Sequence, residues 1–208
     1  MVSLSVEECA GLREKPLFAG KTWRWSPQSW PLLPENREVI ASLGSAAVSF
    51  YRAIERLYVK SKVNQRILRN KELLFPWVAE YYDAGKPEWL VSHANSKAAR
   101  DLLPAVLRPD LLPVSGAMAL TEWDSVPGGI GLTAQLGSAY FGEDAPSMVE
   151  AFGEALSSAA QGFGGKEANM VIAVSEESKT YRPEMEWLAL ELGGLGFSIG
   201  VAEPEELE

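Results

Sequence analysis

The spacing of hydrophobic residues changes once along the chain, near Ala105, and this change restricts the folds that the chain can adopt. Between about residues 34 and 60, apolar side chains recur every three to four positions, which is the period of an α-helix. From Ala105 onward the apolar runs become short and turn residues separate them, which is typical of strands. The chain is therefore predicted to begin with helices and to place its strands in the second half.

Two groups of strands are predicted beyond Ala105. Residues 105–112 and 117–124 flank the turn sequence Val-Ser-Gly and predict a β-hairpin, which a Gly-rich loop and helices follow. A buried strand at 169–174, a helix ending near residue 192 and a strand at 197–202 come in strand–helix–strand order. That order predicts a βαβ unit with a short parallel sheet.

The predicted fold class is therefore α/β with α+β character: an N-terminal helical region, then a β-hairpin, then a small parallel βαβ sheet. We divide the chain into residues 1–104 (an arm and the helical region), 105–165 (the hairpin, the Gly-rich loop and helices) and 166–208 (the βαβ unit). The arm, residues 1–34, is rich in proline and is predicted to be irregular. The shorter helices predicted in the first part lie near residues 72–82 and 88–102.

The composition excludes several classes of function. The 208 residues carry a net charge of −9, so the chain lacks the basic surface that nucleic acid or an anionic membrane would need. No apolar run approaches the ~20 residues of a transmembrane helix. The only cysteine, Cys9, cannot form an internal disulfide, which fits a reducing compartment, and we expect a cytoplasmic protein. The only histidine, His93, excludes a metal site built from several histidines of this chain.

Two acidic side chains, Glu122 and Asp124, are the first candidates for chemistry. In a strand, residues two positions apart point to the same face, so these carboxylates are expected side by side, with Trp123 on the opposite face. Adjacent carboxylates repel each other unless a cation lies between them, and Mg²⁺ is often held by one or two carboxylates with phosphate oxygens and water. The pair indicates a Mg²⁺ site; the alternative is a solvated strand end.

A Gly-rich loop follows these acids directly. Gly128, Gly129 and Gly131 allow positive φ angles and a close approach of a ligand to backbone N–H groups, and a helix is predicted to begin near Leu132. Such a loop can bind an anion at the helix start, although the same sequence also suits a plain strand-to-helix turn. Its spacing is neither that of a P-loop nor that of a G-x-G-x-x-G dinucleotide loop.

Arg108 would complete the site if the hairpin turn brings it beside the acids. A three-residue turn centred on Ser115 puts Arg108 opposite Glu122 on the same face, whereas a two-residue turn pairs it with Trp123 and turns it away. In the first geometry, Arg108 could hold a carboxylate or phosphate of a substrate through two N–H groups.

The stretch Arg108-Pro109-Asp110, with Glu122-Trp123-Asp124-Ser125 and Gly128-Gly129 after it, resembles the circularly permuted ATP-grasp ligases. This group includes eukaryotic-type glutathione synthetase and glutathionylspermidine synthetase. In it, an R-x-D on one strand precedes an E-x-N or E-x-D on the next, and a loop of glycines or small residues follows. A weaker match covers residues 171–207, where a strand, a loop with an aromatic residue and an arginine, and a helix bearing glutamate come in the family's order.

The resemblance implies a pre-ATP-grasp-like fold and the activity of an ATP-dependent carboxylate–amine ligase that works through an acyl phosphate. It implies that Glu122 and Asp124 hold Mg²⁺ facing ATP and that Arg108 is catalytic, in contact with the substrate carboxylate or the acyl phosphate. The substrate-binding positions that it implies are Ser125, Gly128, Gly129, Glu177, Ser178, Tyr181 and Arg182. Asp124 stands where glutathione synthetases have Asn, and Pro127 lies within the loop, which leaves the substrate open.

Two alternatives remain beside this interpretation. Ser178 or Thr180 can simply cap the helix that follows, with Glu184 in its first turn. The whole chain can also be a stand-alone, non-enzymatic domain that binds an amino acid or another small ligand.

The ATP clamp of the family, with its lysines and a further acidic ligand, is not recognisable in the sequence. We therefore expect an N-terminal fragment of a longer ligase, with a truncated βαβ unit, that is inactive alone and does not hold Mg²⁺ or ATP tightly. Its expected partners are a small carboxylate or peptide-like substrate and the remainder of its own polypeptide, with no nucleic acid and no membrane.

Overall fold

A computed structural model describes residues 3–63, 65, 75–115, 117–142, 145 and 147–207 of the chain. Within these residues it contains helices and two small sheets. The helices are α1 (Val6–Arg13), α2 (Pro34–Lys62), α3 (Pro76–Asp83), α4 (Glu88–Ala94), α5 (Ile130–Phe141), α6 (Met148–Ala159) and α7 (Arg182–Gly194). The strands are β1 (Arg108–Val114), β2 (Ala117–Asp124), β3 (Met170–Ala173) and β4 (Ile199–Ala202).

Contacts divide the chain into two compact units, which we describe separately. The helical unit consists of Leu33–Pro104 and Pro113–Ala119. The α/β unit consists of the chain up to Leu32, Ala105–Leu112 and the chain from Leu120 onward.

The prediction of an irregular arm is wrong where α1 forms. The N–H of Ser5 donates to Oε2 of Glu8 at 2.7 Å, and the N–H of Glu8 donates to Oγ of Ser5 at 3.1 Å. This reciprocal capping box satisfies two backbone donors that a helix start otherwise leaves unpaired, and it favours a helix of eight residues here. Beyond α1 the arm folds back, because the N–H of Leu4 donates to the carbonyl of Pro27 at 2.7 Å.

The helical unit confirms the long predicted helix, which begins at Pro34 and extends to Lys62. Proline suits this first helical position because its missing N–H would have no partner there, and Pro76 plays the same part in α3. The helix predicted near 88–102 ends much earlier, at Ala94. Asn95 follows, and its side-chain Nδ2 donates to the carbonyl of Val91 at 2.7 Å, which occupies an acceptor at the helix end.

Some predictions fall on residues outside the described part of the chain. The start of the helix predicted near 72–82 is one of them, and α3 supplies its second half. The first residue of the helix predicted over residues 146–161 is another, and α6 is the described part of that helix.

The strand predictions are confirmed with small shifts of their ends. β1 and β2 form a two-stranded hairpin, and β1 begins at Arg108, three residues later than predicted. β3 and β4 are parallel, with Met170 opposite Ile199 and Ala173 opposite Ala202. Helix α7 connects them, so the C-terminal part is the predicted βαβ unit.

Two hydrophobic clusters hold the α/β unit together. In the first, the arm packs on α5: Leu12 and Phe18 are buried against Leu132. In the second, α5, α6 and α7 meet beneath β4, and Leu188 and Leu192 of α7 are completely buried beside Phe152. These contacts bring the start of α5 and the start of α7 together, and the site described below lies between them.

The chain is thus a mixed α/β protein with an N-terminal helical region, a hairpin and a two-stranded parallel sheet, as predicted. Within the described residues, no helix is both long enough and apolar enough to cross a membrane.

Candidate functional site

Arg108 and Asp124 form an ion pair at the open end of the hairpin. Nη1 of Arg108 lies 3.2 Å from Oδ2 of Asp124, and each side chain is about one-third exposed. The other carboxylate oxygen of Asp124, Oδ1, accepts the backbone N–H of Val126 at 3.1 Å. Both oxygens of Asp124 are therefore engaged, and Arg108 lies beside one of the two predicted acids.

Glu122 differs from Asp124 in its surroundings. Its side chain is exposed and forms no hydrogen bond or ion pair with another described residue. In the part of the chain that the structure describes, no group of three or more His, Cys, Asp or Glu side chains is arranged to hold a metal ion. A cation at this position would thus depend on the two predicted carboxylates and on oxygens from outside the described chain.

The Gly-rich loop is tightly packed under two side chains. A Cβ atom at Gly128 would lie 2.9 Å from Cε1 of Tyr181 and 3.5 Å from Nη1 of Arg108, so a larger residue there would collide with the tyrosine ring. Gly129 has a φ of +90°, in the left-handed region that favours glycine, and the Arg108 guanidinium lies 3.8 Å from its Cβ position. Glycine at these positions lets Arg108 and Tyr181 approach the backbone.

The anion-binding amides predicted at the start of α5 are occupied by a side chain of the protein itself. Glu184 in α7 is 4% exposed, and its Oε1 accepts the N–H groups of Gly131 at 2.9 Å and Leu132 at 3.3 Å. A Cβ atom at Gly131 would lie 2.9 Å from Cγ of Glu184, so glycine is needed for this contact. The amides of Gly131 and Leu132 are therefore not open to a ligand, whereas the binding role of Gly128 and Gly129 stays a prediction.

Sequence reasoning assigned Glu184 only to the first turn of its own helix. Gly131 precedes it by 53 residues, and no local pattern connects the two. Carboxylates generally favour helix N-termini, so an acidic side chain could be expected at the start of α5. The packing of α7 against α5 determines that this acid is Glu184.

The second predicted segment is a 3-10 segment, Glu176–Tyr181, that leads into α7. Neither Ser178 nor Thr180 caps α7, because the helix begins at Arg182 without a side-chain cap. The alternative that these residues serve as caps is therefore wrong.

Arg182 connects the segments that follow the two parallel strands. Its Nη2 lies 3.3 Å from the carbonyl oxygen of Val174, after β3, and 3.3 Å from Oε1 of Glu203, after β4. This places Arg182 in a structural contact, although the resemblance implies that it binds substrate. The side chain of Glu177 is exposed and forms no hydrogen bond with another described residue.

A cleft of about 190 Å³ in the α/β unit lies beside Gly128. Residues 126–128 of the loop, the end of β3 and the 3-10 segment line it. The lining is largely apolar, and Ser178 and Tyr181 are its hydroxyl-bearing residues. The cleft lies at the carboxyl end of β3, which is where open α/β sheets usually bind ligands.

The predicted residues thus divide into two sets. Those that the structure brings together are Arg108, Asp124, Gly128, Gly129, Tyr181 and, through the cleft, Ser178. Those outside this set are Glu122, Ser125, Glu177 and Arg182, and neither Ser125 nor Glu177 lines the cleft.

Comparisons with known protein families, with curated proteins and with solved structures find no match.

Proposed function

We propose that this chain is the part of an ATP-dependent carboxylate–amine ligase that binds the substrate and Mg²⁺. The observation that carries the proposal is the meeting of two distant segments at one glycine. Arg108 and Tyr181 both lie within van der Waals distance of the Cβ position of Gly128, although each belongs to a different stretch that resembles the ligase family. A cleft large enough for a small group lies at the same point.

In the proposed reaction, the substrate carboxylate attacks the terminal phosphorus of ATP, so that ADP leaves and an acyl phosphate forms. The lone pair of the amine then attacks the acyl carbon, phosphate leaves, and the nitrogen loses a proton to give the amide. The reactants of the first step are anions, so the site must orient them and neutralise their charge. Arg108 would supply a fixed positive charge beside the carboxylate.

Glu122 and Asp124 would be the protein ligands of a bound Mg²⁺, which would neutralise phosphate charge. Glu122 suits the role of ligand because its carboxylate is exposed and has no partner among the described residues. Asp124 must first give up its ion pair, since Arg108 holds its Oδ2 at 3.2 Å. We propose an exchange in which the substrate carboxylate replaces Asp124 on Arg108 and leaves Asp124 available to the metal.

The proposal also assigns partners and a location. The nucleotide-binding lobes would lie on the remainder of the same polypeptide, and the substrate would be a small carboxylate or a peptide-like molecule. We place the protein in the cytoplasm because its single cysteine, Cys9, is buried and unpaired. Its net charge of −9 supports neither a nucleic acid nor an anionic membrane as a partner.

A second candidate function has its own support. The cleft beside Gly128 is small and largely apolar, with two hydroxyl-bearing residues in its lining, and both oxygens of Asp124 are engaged within the chain. These features suit a non-enzymatic domain that binds a small ligand.

The deciding experiment measures phosphate release from ATP by the gene product that carries this chain, with pools of amino acids and short peptides as substrates. The ligase proposal expects release that depends on both carboxylate and amine, and its loss in Glu122→Ala and Arg108→Gln. Glu167→Ala, which changes an exposed acid of the same unit, is the matched control. Unchanged turnover in Glu122→Ala would exclude the metal role, and peptide binding without any ATP turnover would favour the binding domain.

A further inference from the structure

The outer edge of β3, in the α/β unit, has unpaired backbone groups. β3 pairs with β4 on one side, and among the described residues no other strand pairs with it. The N–H groups of Met170 and Val174 donate to carbonyl oxygens of the β4 segment at 2.8 and 2.9 Å. Backbone groups alternate in direction along a strand, so those of Val171 and Ala173 point away from β4. Neither of these two residues has a backbone hydrogen-bond partner in the part of the chain that the structure describes.

The two faces of this parallel sheet differ in their surroundings. Ile199 packs against the buried leucines of α7, and the register places Ile172 on the same, covered face. Val171 and Ala173 lie on the other face and are exposed, Val171 to 49%. A strand added beside β3 would therefore carry its side chains alternately to the face that α7 covers and to the exposed face.

The cleft described above adjoins this edge. Ile172 and Val174, which lie within and just after β3, line it together with Met185 of α7, and the edge residue Ala173 lines it too. The described residues that line the cleft include no acidic, basic or histidine side chain. Its volume is about 190 Å³, and an apolar cavity of ~150 Å³ is enough for a benzene molecule. The cleft therefore suits a single uncharged, apolar side chain.

We propose that β3 binds an extended peptide along its outer edge and that the cleft takes one apolar side chain of that peptide. In complexes of this kind, hydrogen bonds to the open edge give affinity, and pockets for alternate side chains give specificity. The edge supplies the N–H and C=O groups of Val171 and Ala173, and the peptide side chain on the covered face meets Ile172 and Met185. This binding needs neither ATP nor Mg²⁺, so it succeeds or fails independently of the proposed ligase reaction.

The probe is the capped peptide acetyl-Ser-Leu-Ser-Leu-Ser-amide, titrated into the full chain by calorimetry while NMR follows the backbone amides. In an added strand, the N–H groups of alternate residues face β3 and the others point away. Two methylated probes separate these sets, because one carries N-methyl groups on its leucines and the other on its serines. The proposal expects one methylated probe to lose about tenfold or more in affinity and the other to stay within about twofold of the parent. The amide shifts should centre on Val171 and Ala173.

A further probe tests the cleft. Asparagine in place of both leucines keeps a similar side-chain shape but brings a polar amide to an apolar lining, and it is expected to weaken binding about tenfold.

Two matched variants test the edge from the side of the protein. Val171→Pro removes one outward N–H and places the proline ring on the edge, where a strand tolerates proline, and is expected to weaken binding of the parent probe about tenfold or more. Val171→Thr keeps that N–H and is expected to bind the probe as the unaltered chain does.

The proposal is overturned if the parent probe does not bind saturably, or if both methylated probes or neither of them lose affinity. It is also overturned if the asparagine probe binds as tightly as the parent, or if Val171→Pro folds and keeps full affinity. The methylated probes use the unaltered chain, so they decide the outcome even where Val171→Pro does not fold.

Discussion

Glu184 is a buried side chain that occupies backbone amides next to the candidate site. Its carboxylate accepts two N–H groups at the start of α5, and it is 4% exposed. An anion at a helix N-terminus is stabilised by the unpaired amides and by the helix dipole. Because Glu184 supplies that anion internally, the amides of Gly131 and Leu132 are not open to another anion, and the positive group beside the loop is the guanidinium of Arg108.

Replacement of Glu184 tests this role at the residue scale. Glu184→Ala leaves two buried amides without acceptors and is expected to lower the free energy of unfolding by about 1–3 kcal/mol. Glu184→Gln keeps a carbonyl acceptor and should recover part of that loss. Urea denaturation of both variants measures the difference, with Glu177→Ala, an exposed acid, as the control. Equal stability of Glu184→Ala and the unaltered chain would contradict the capping role.

Individual elements are joined by polar contacts between side chains distant in sequence. Arg182, at the start of α7, joins the segments beyond β3 and β4, so one residue braces both strands of the parallel pair. In the helical unit, Tyr58 and Lys62 of α2 reach Asp83 at the end of α3. The hydrogen bond from Tyr58 is the largest cause that lowers the pKa of Asp83 below its ordinary value of 3.8, and the one from Lys62 acts in the same direction.

The lowered pKa of Asp83 predicts a pH dependence for the packing of α2 against α3. Since the folded state favours the carboxylate, its contribution to stability is fully present above the ordinary value of 3.8 and is lost as the pH falls through the lower folded pKa. Asp83→Asn is therefore expected to cost about 1 kcal/mol at neutral pH and less near pH ~3.

Thermal unfolding of the helical unit at both pH values, followed by NMR, measures this effect. Glu80→Gln is the matched control, because Glu80 is an exposed acid on the same helix. A cost for Asp83→Asn that is equal at both pH values would show that the carboxylate charge does not contribute.

On the scale of the whole molecule, the two units differ in how much apolar surface they bury. The α/β unit contains both hydrophobic clusters, with Leu188 and Leu192 completely buried. Among the described residues of the helical unit, the buried apolar side chains are small: Ala47, Val78 and Ala79. Burial of apolar area is the dominant favourable term in folding, so the helical unit should be the less stable of the two.

This difference predicts an order of opening that hydrogen exchange can measure. Amides in the middle of α7 should exchange more slowly than those of α3 and α4. Leu188→Ala, which removes a side chain at 0% exposure, should cost about 2–5 kcal/mol and speed exchange in α5, α6 and α7. The prediction fails if exchange in α3 is slower than in α7, or if Leu188→Ala changes α3 and leaves α7 unaltered.

Local patterns were sufficient to predict most of the elements and part of the candidate site. The helix α2, the hairpin and the strand–helix–strand order were predicted from patterns of residues close together in the sequence. The structure confirms all three. The helix α1 was missed although Ser5 and Glu8 have the spacing of a capping box, so that signal was present in the sequence. The end of α4 at Ala94, eight residues before its predicted end, was not recognised in the sequence; Asn95 follows it, and its side chain donates to the carbonyl of Val91.

The sequence by itself determined the order of helices and strands, because hydrophobic period, prolines and turn residues act on the backbone nearby. Only the tertiary structure decided which distant groups meet: Glu184 with the start of α5, and Tyr181 with Gly128. The physical reason is that a side chain's electrostatic partner depends on which distant surfaces pack together, and the packing of α7 against α5 is a property of the folded chain.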